Sequence, residues 1–176
     1  MSWPRDVGCV YAETPDALVL VDPLVPQDEE DRFWEALDRD RRRLEHLPVE
    51  ILLTCAWHRR SSDVVAARYG AEVRRPGDAP PRDVEVMVFE DGEWREAVFA
   101  FRAYETIVFG DVIEGDGAGG LRMPPEWWPA HEERTLRVKS ELRRVLDWPI
   151  EIVLVSHGEP VLHGGRTLLE KVLTRD

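Results

Sequence analysis

Side chains able to bind metal or act as nucleophiles occur at three places in the sequence, each just after an apolar segment. Cys55 and His58 lie in a polar loop, and Asp111 and His157 each follow a later apolar segment. Thiolate, imidazole and carboxylate groups are the donors that zinc commonly uses in proteins. A cysteine beside a histidine can also act as a thiol nucleophile. The four residues are therefore candidate site residues.

The same polar loop carries three side chains that do not suit metal chemistry, Trp57, Arg59 and Arg60. An arginine guanidinium keeps its charge and only donates hydrogen bonds, so it repels a divalent cation instead of binding it. Possible metal donors and fixed positive charges thus lie within one short loop.

The strand, polar loop and helix around these residues resemble a metal-binding turn of the metallo-β-lactamase superfamily. In that family the turn has the motif Thr-His-x-His-x-Asp-His, whose three histidines and aspartate hold a pair of zinc ions. Here Cys55, Trp57, Arg59 and Arg60 stand at those four places, after Thr54.

Three further strand ends support this resemblance. The segment ending in Gly110-Asp111 looks like the family strand whose aspartate bridges the two metals, and the segment ending in His157-Gly158 looks like the strand that supplies the last histidine. The early segment ending in Asp22 resembles the strand that places an aspartate beneath the metal site. The resemblance covers most of the chain.

The resemblance implies that the dinuclear site is lost. Family members usually carry a Pro-Gly-His turn before the Gly-Asp strand, but residues 84–101 contain no histidine. Of the family ligand positions, only Asp111 and His157 match by type. We therefore predict a degenerate metal site without dinuclear zinc hydrolase activity, with a binding or structural role and no favoured cofactor. A guanidinium of Arg59 or Arg60 would then pair with Asp111 in place of the metals.

Three alternatives remain open. One zinc ion on Cys55, Asp111 and His157, with or without His58, would make a mononuclear hydrolase of a small ester, thioester or lactam-like substrate. Cys55 could be a thiol nucleophile, although nothing in the sequence marks a base or an oxyanion hole. Asp111 and His157 could perform metal-free acid-base chemistry.

Composition narrows the partners. The chain has 176 residues and a net charge of -12, which disfavours a nucleic-acid backbone as partner because such binding relies on lysine and arginine. The N-terminal segment lacks the pattern of a signal or transit peptide, and no apolar run is long enough for a membrane span. We expect a cytoplasmic protein of one domain, 1–176, with a small-molecule ligand, no nucleic-acid or membrane partner, and possible homodimers.

Patterning in the first half predicts a hairpin, Val7–Tyr11 with Ala17–Val21, that places Cys9 in the core. A helix follows over about 28–44, then a strand at Val49–Leu53. A second helix begins at Ser61 or Ser62 and ends at Gly70, with an apolar face of Val64, Val65 and Ala67. This order predicts a βαβ crossover with parallel neighbours.

The second half predicts a β-meander with a hairpin turn at Glu90–Glu93, a strand at Thr106–Phe109 and a glycine-rich loop at 114–120. A helix over about 130–146 precedes the last strand, and its apolar face consists of Leu136, Leu142, Val145 and Leu146. A short helix closes the chain. Trp127 and Trp128 are predicted to plug or cover the cleft or to form a subunit contact. Together these elements predict an α/β fold, a four-layer αββα sandwich.

Overall fold

The computed structural model describes residues 7–91, 94–123 and 132–174. Their contacts define two compact units: an N-terminal unit, Cys9–Asp83, and a C-terminal unit that starts at Val84 and includes Val7 and Gly8. Trp127 and Trp128 lie outside the described residues, so their predicted role stays a prediction. The single-domain assignment of 1–176 also stays a prediction.

The N-terminal unit is a four-stranded sheet with two helices. Its elements are β1 (Val10–Glu13), β2 (Leu18–Val21), α1 (Glu30–Arg43), β3 (Val49–Leu52), α2 (Ser62–Tyr69) and β4 (Glu72–Arg74). The strand order is β1-β2-β3-β4, with β1 antiparallel to β2 and the other pairs parallel. The βαβ crossover predicted from the sequence, β2-α1-β3, is present, and a second one, β3-α2-β4, follows it.

Helix α1 packs on this sheet through one apolar stripe. Trp34 and Leu37 are buried against residues of β2 and β3, including Leu18, Leu20 and Ile51. The first turn is acidic and the last turn is basic, which suits the helix dipole. The helix therefore matches the sequence-based prediction.

Three predictions for this unit are wrong in detail. Cys9 is exposed and precedes β1, because the strand begins at Val10 and its pairing with β2 starts there. On α2, Val64 and Ala67 are exposed, and the buried positions are Ser62 and Val65, one helical turn apart. Helix α2 ends as predicted at Gly70, whose φ is 64°.

The described part of the C-terminal unit is a second four-stranded sheet with a small hairpin and two helices. Its elements are β5 (Val84–Asp91), β6 (Trp94–Phe101), β7 (Thr106–Phe109), β8 (Glu114–Gly115), β9 (Leu121–Arg122), α3 (Glu132–Leu142), β10 (Ile152–Val155) and α4 (Gly165–Thr174). The order is β10-β7-β6-β5, and β10 runs parallel to β7 while the other neighbours are antiparallel.

This unit confirms the predicted meander and corrects two details. The glycine-rich segment predicted as a loop, 114–120, begins with β8 and connects it to β9. Leu136 is 54% exposed, whereas Leu142 is buried as predicted, together with Val138 one turn earlier. The core of the unit packs α3, α4 and the sheet around residues such as Phe109 and Leu169.

Candidate functional site

In the N-terminal unit, Asp22 and His58 form a buried carboxylate-imidazole pair. Asp22 follows β2, Thr54 lies two residues after the end of β3, and His58 lies in the short 3-10 turn Ala56–Arg59. Asp22 Oδ2 lies 2.9 Å from His58 Nδ1, and Asp22 Oδ1 accepts the Thr54 amide N–H at 2.8 Å. The Thr54 hydroxyl donates to Asp22 Oδ2 at 2.5 Å. Parallel pairing of β2 with β3 brings these residues together.

The Asp22 contact selects the tautomer of His58. An ionised carboxylate only accepts hydrogen bonds, so Nδ1 carries the proton that faces Asp22 and the lone pair of the neutral ring is on Nε2. His58 matches none of the four ligand positions of the family motif, yet it is buried with 4% exposure. Cys55 is fully buried, and its Sγ lies within 4.8 Å of a His58 ring nitrogen.

The other loop residues separate into exposed and anchored side chains. Trp57 is 51% exposed. The exposed Arg59 donates from Nε to both oxygens of Asp63, at 3.0 and 2.8 Å. This hydrogen bond is the main reason that the pKa of the Asp63 carboxyl is lowered. Of the two arginines predicted to pair with Asp111, Arg59 is thus the wrong one, because its guanidinium is bound to Asp63 on the surface. The alternative with Arg60 stays a prediction.

Arg60 is half-buried and anchored differently. Its Nη1 donates to the main-chain oxygen of Asp22 at 3.1 Å. Asp22 and Arg60 both have positive φ, 49° and 38°, a region that L-residues other than asparagine, aspartate and glycine rarely adopt. Such conformations persist only where the surrounding contacts hold them, and they concentrate at functional sites.

In the C-terminal unit, Asp111 and His157 meet at adjacent strand ends. Because β7 and β10 are parallel neighbours, the residues that follow them emerge at the same sheet edge. Asp111 is 5% exposed, and its Oδ1 lies 3.1 Å from His157 Nε2. The main chain of His157 is also held, since the Gly115 amide donates to its oxygen at 3.0 Å.

One buried carboxylate beside this pair was missed by sequence reasoning. Glu96 lies within β6, is fully buried and accepts the backbone amides of Gly110, Asp111 and Val112. A charged residue followed by five apolar or small residues, Ala97 to Phe101, was the available signal, because a charge is rarely buried unless it is bonded.

The predicted site residues thus fall into two groups. Cys55, Trp57, His58, Arg59 and Arg60 belong to the N-terminal unit, whereas Asp111 and His157 belong to the C-terminal unit. Within the first unit the structure brings His58 to Asp22 and to Cys55. Within the second it brings Asp111 to His157.

Comparison with known proteins identifies the fold. No family model matches the chain, and no curated protein matches it. A mono-zinc metallo-β-lactamase from Erythrobacter litoralis aligns with a TM-score of 0.63 at 12% identity, covering 97% of this chain and 84% of that one. The FIM-1 metallo-β-lactamase from Pseudomonas aeruginosa, also in a mono-zinc form, aligns with a TM-score of 0.57 at 13% identity, covering 97% and 86%.

A third solved structure, TTHA1623 in a di-iron-bound form, aligns with a TM-score of 0.51 at 18% identity, covering 94% of both chains. The chain therefore has the metallo-β-lactamase fold. The fold class and the resemblance predicted from the sequence are confirmed at this level. These relatives are described with zinc or iron, so they lend no support to the prediction that no cofactor is favoured.

The residues present can be compared with what such a metal centre requires. Zinc takes about four nitrogen, sulfur or oxygen donors. At three of the four motif positions this chain has Trp57, Arg59 and Arg60, which offer no metal-donor atom. These three positions therefore supply none of the donors that the zinc-binding motif has there. A single ion is a different case, because Cys55 and His58 supply a sulfur and a nitrogen donor close together.

Proposed function

We propose that this is a metallo-β-lactamase-fold protein with a degenerate metal site, which lacks dinuclear zinc hydrolase activity and has a binding or structural role. The observation that carries this proposal is the anchoring of Arg60. Its guanidinium is bonded to the main chain of Asp22, the residue whose carboxylate orients His58. A permanent positive charge is thus anchored to the main chain of Asp22, in the loop that also carries Cys55 and His58.

The conformation of Arg60 supports this interpretation. A positive φ in a residue of this size costs about 1–3 kcal/mol, so the loop retains Arg60 against a backbone penalty. A flexible surface arginine would carry no such cost. The loop therefore holds the positive charge of Arg60 in place, and this charge disfavours the binding of divalent cations there.

Substitution of Arg60 tests the proposal through zinc affinity. A unit charge within several ångströms of a dication repels it by roughly 1–2 kcal/mol even at the screening of bulk water. This corresponds to about tenfold in affinity. We expect Arg60→Ala to bind zinc at least about tenfold more tightly than the wild type, as measured by competition with a chromogenic chelator.

Arg59→Ala is the matched control, because Arg59 is an arginine of the same loop whose exposed guanidinium is bonded to Asp63 on the surface. Its zinc affinity should stay within about twofold of the wild type. Wild-type protein purified from zinc-supplemented cells should contain fewer than two zinc ions per chain and should not hydrolyse a chromogenic lactam, an ester or a thioester. Two bound ions, or turnover of any of these substrates, would contradict the proposal.

The second candidate function is a mononuclear metal-dependent hydrolase. The orientation of His58 favours it, because histidines that bind metals usually donate their other ring N–H to a carboxylate, as Nδ1 does to Asp22. The predicted donor set of Cys55, Asp111 and His157, with one zinc ion, stays a prediction. Loading the protein with cobalt separates the two functions. The hydrolase would be favoured if the cobalt-loaded protein hydrolysed substrate and showed a thiolate-to-cobalt absorption band that Cys55→Ser abolishes.

The partners predicted from the sequence, a small-molecule ligand and a second copy of the chain, also stay predictions. Sedimentation analysis of the purified protein addresses the homodimer directly. Within the described residues, no helix is both long and apolar enough to cross a membrane.

A further inference from the structure

Glu96 is a buried carboxylate that contacts the segment carrying Asp111. Its Oε1 accepts the amides of Gly110 at 3.0 Å and Val112 at 3.2 Å. Its Oε2 accepts the amide of Asp111 at 3.1 Å and the indole N–H of Trp94 at 3.2 Å. Each oxygen therefore accepts two N–H donors, and three of the four donors belong to consecutive residues.

This arrangement suits a carboxylate and no other side chain. A glutamine would turn an NH2 group toward amide N–H donors, and an apolar residue would leave three buried amides facing it without an acceptor. Protonation of either oxygen would also place an O–H against an N–H. The ionised form satisfies all four donors, which offsets the cost of burying its charge.

The three amides lie where the regular sheet stops. Pairing of β6 with β7 runs from Phe101 opposite Thr106 to Phe99 opposite Val108, and β7 itself ends at Phe109. Beyond that point the chain leaves the sheet, and Glu96 from β6 reaches the amides of the next residues. The side chain of Glu96 thus continues the attachment of the segment to the sheet past the end of strand pairing.

We propose that Glu96 is a positioning residue, whose carboxylate holds the 110–112 backbone so that the side chain of Asp111 stays against His157. Asp111 Oδ1 lies 3.1 Å from His157 Nε2, and a change in the main chain of residue 111 would alter that contact directly. The role of Glu96 does not depend on the proposed function, since Asp111 needs a fixed position whether the pair binds a ligand, an ion or only each other.

Substitution and chemical rescue test this proposal. We expect Glu96→Ala and Glu96→Gln to speed amide hydrogen exchange at residues 110–112 by at least about tenfold, while the centre of β10 stays protected. The imidazole nitrogen signals of His157 in NMR spectra should change as they do in Asp111→Asn. Added formate should return both readouts of Glu96→Ala toward the wild type, because the vacated space can take a small carboxylate.

Glu90→Gln is the matched control, since Glu90 is an exposed glutamate on the neighbouring strand β5, paired with Arg95 at 2.8 Å. It should leave the exchange at 110–112 and the His157 signals unchanged. Glu96 variants with wild-type His157 signals would overturn the proposal. Changed signals that formate fails to restore would also overturn it, because they would assign Glu96 a packing role. If Glu96→Ala does not fold, Glu96→Gln carries the exchange and NMR comparison.

Discussion

At the scale of single residues, Asp22 meets two demands at once. Its backbone has a φ of 49°, which asparagine and aspartate tolerate better than other residues with a side chain. Its carboxylate is 1% exposed and accepts the Thr54 amide, the Thr54 hydroxyl and the His58 ring. An aspartate is therefore favoured by both the turn and the hydrogen bonds.

The two demands can be separated by substitution. We expect Asp22→Asn, which keeps the turn but loses the charge, to lower the free energy of unfolding by about 2–4 kcal/mol. Asp22→Ala should cost about 1–2 kcal/mol more, because alanine also resists the positive φ. Urea denaturation measures both values.

Asp83→Ala is the control for backbone strain, since Asp83 has a φ of 65° at an exposed position. Asp83→Ala should lower the free energy of unfolding only by the cost of placing alanine at a positive φ. If Asp22→Asn were as stable as the wild type, the carboxylate of Asp22 would not be needed to hold Thr54 and His58.

At the scale of elements, α1 and α2 are joined by a polar cluster around Asp38. Arg68 donates to Asp38 at 2.7 Å, and the Tyr69 hydroxyl donates to it at 2.6 Å. The Arg68 guanidinium also lies 4.8 Å from the centre of the Trp34 ring. Burial, and then the Asp38 carboxylate, raise the pKa of Tyr69 to about 12. The cluster connects the two helices that cover the same sheet.

This cluster predicts an acid-sensitive contribution to stability. The hydrogen bond from Arg68, followed by that from Tyr69, lowers the pKa of Asp38 in the folded protein. The stabilisation is thus present above the unfolded pKa, about 3.9. It is lost as the pH falls through the lower folded pKa. We expect Asp38→Asn to lower Tm at pH 7 and the Tm difference from wild type to disappear in strong acid.

Thermal unfolding at several pH values measures that difference. Glu35→Gln is the matched control, because Glu35 is an exposed acid on the same helix. It should show little Tm difference at any pH. A Tm difference for Asp38→Asn that stayed constant with pH would contradict the assignment.

At the scale of the whole molecule, the net charge of -12 dominates long-range interactions. The basic run Arg39–Arg43 contains four arginines, two of which contact carboxylates. Arg43 is bonded to Glu13, Arg39 contacts Asp40, and Arg41 donates to the main-chain oxygen of Leu44. Acidic side chains thus offset part of the positive charge of this run.

We expect no measurable binding of duplex DNA at physiological salt, because a net charge of -12 opposes association with the phosphate backbone. Fluorescence anisotropy of a labelled duplex, titrated with the protein at several salt concentrations, measures this. Binding that weakens steeply with added salt would contradict this expectation, because it would show that the protein binds the phosphate backbone despite its negative net charge.

The sequence was sufficient for features that depend on residue type and local period. The apolar segments and turn residues predicted β2, β3, α1 and α2, and the replacement of family ligands by Trp57 and two arginines was visible at once. The resemblance also predicted the metallo-β-lactamase fold that the comparisons confirm. These conclusions depend only on residues that are close together in the sequence or on a short motif.

Tertiary structure alone decided which side chains become partners. His58 bonds to Asp22, 36 positions earlier, and Glu96 bonds to amides 14–16 positions later. Arg59 turns to Asp63 on the next helical turn, although the sequence allowed a partner elsewhere. The physical reason is that strand pairing determines which distant residues share a sheet edge, and residue type specifies only which bonds they can form once there.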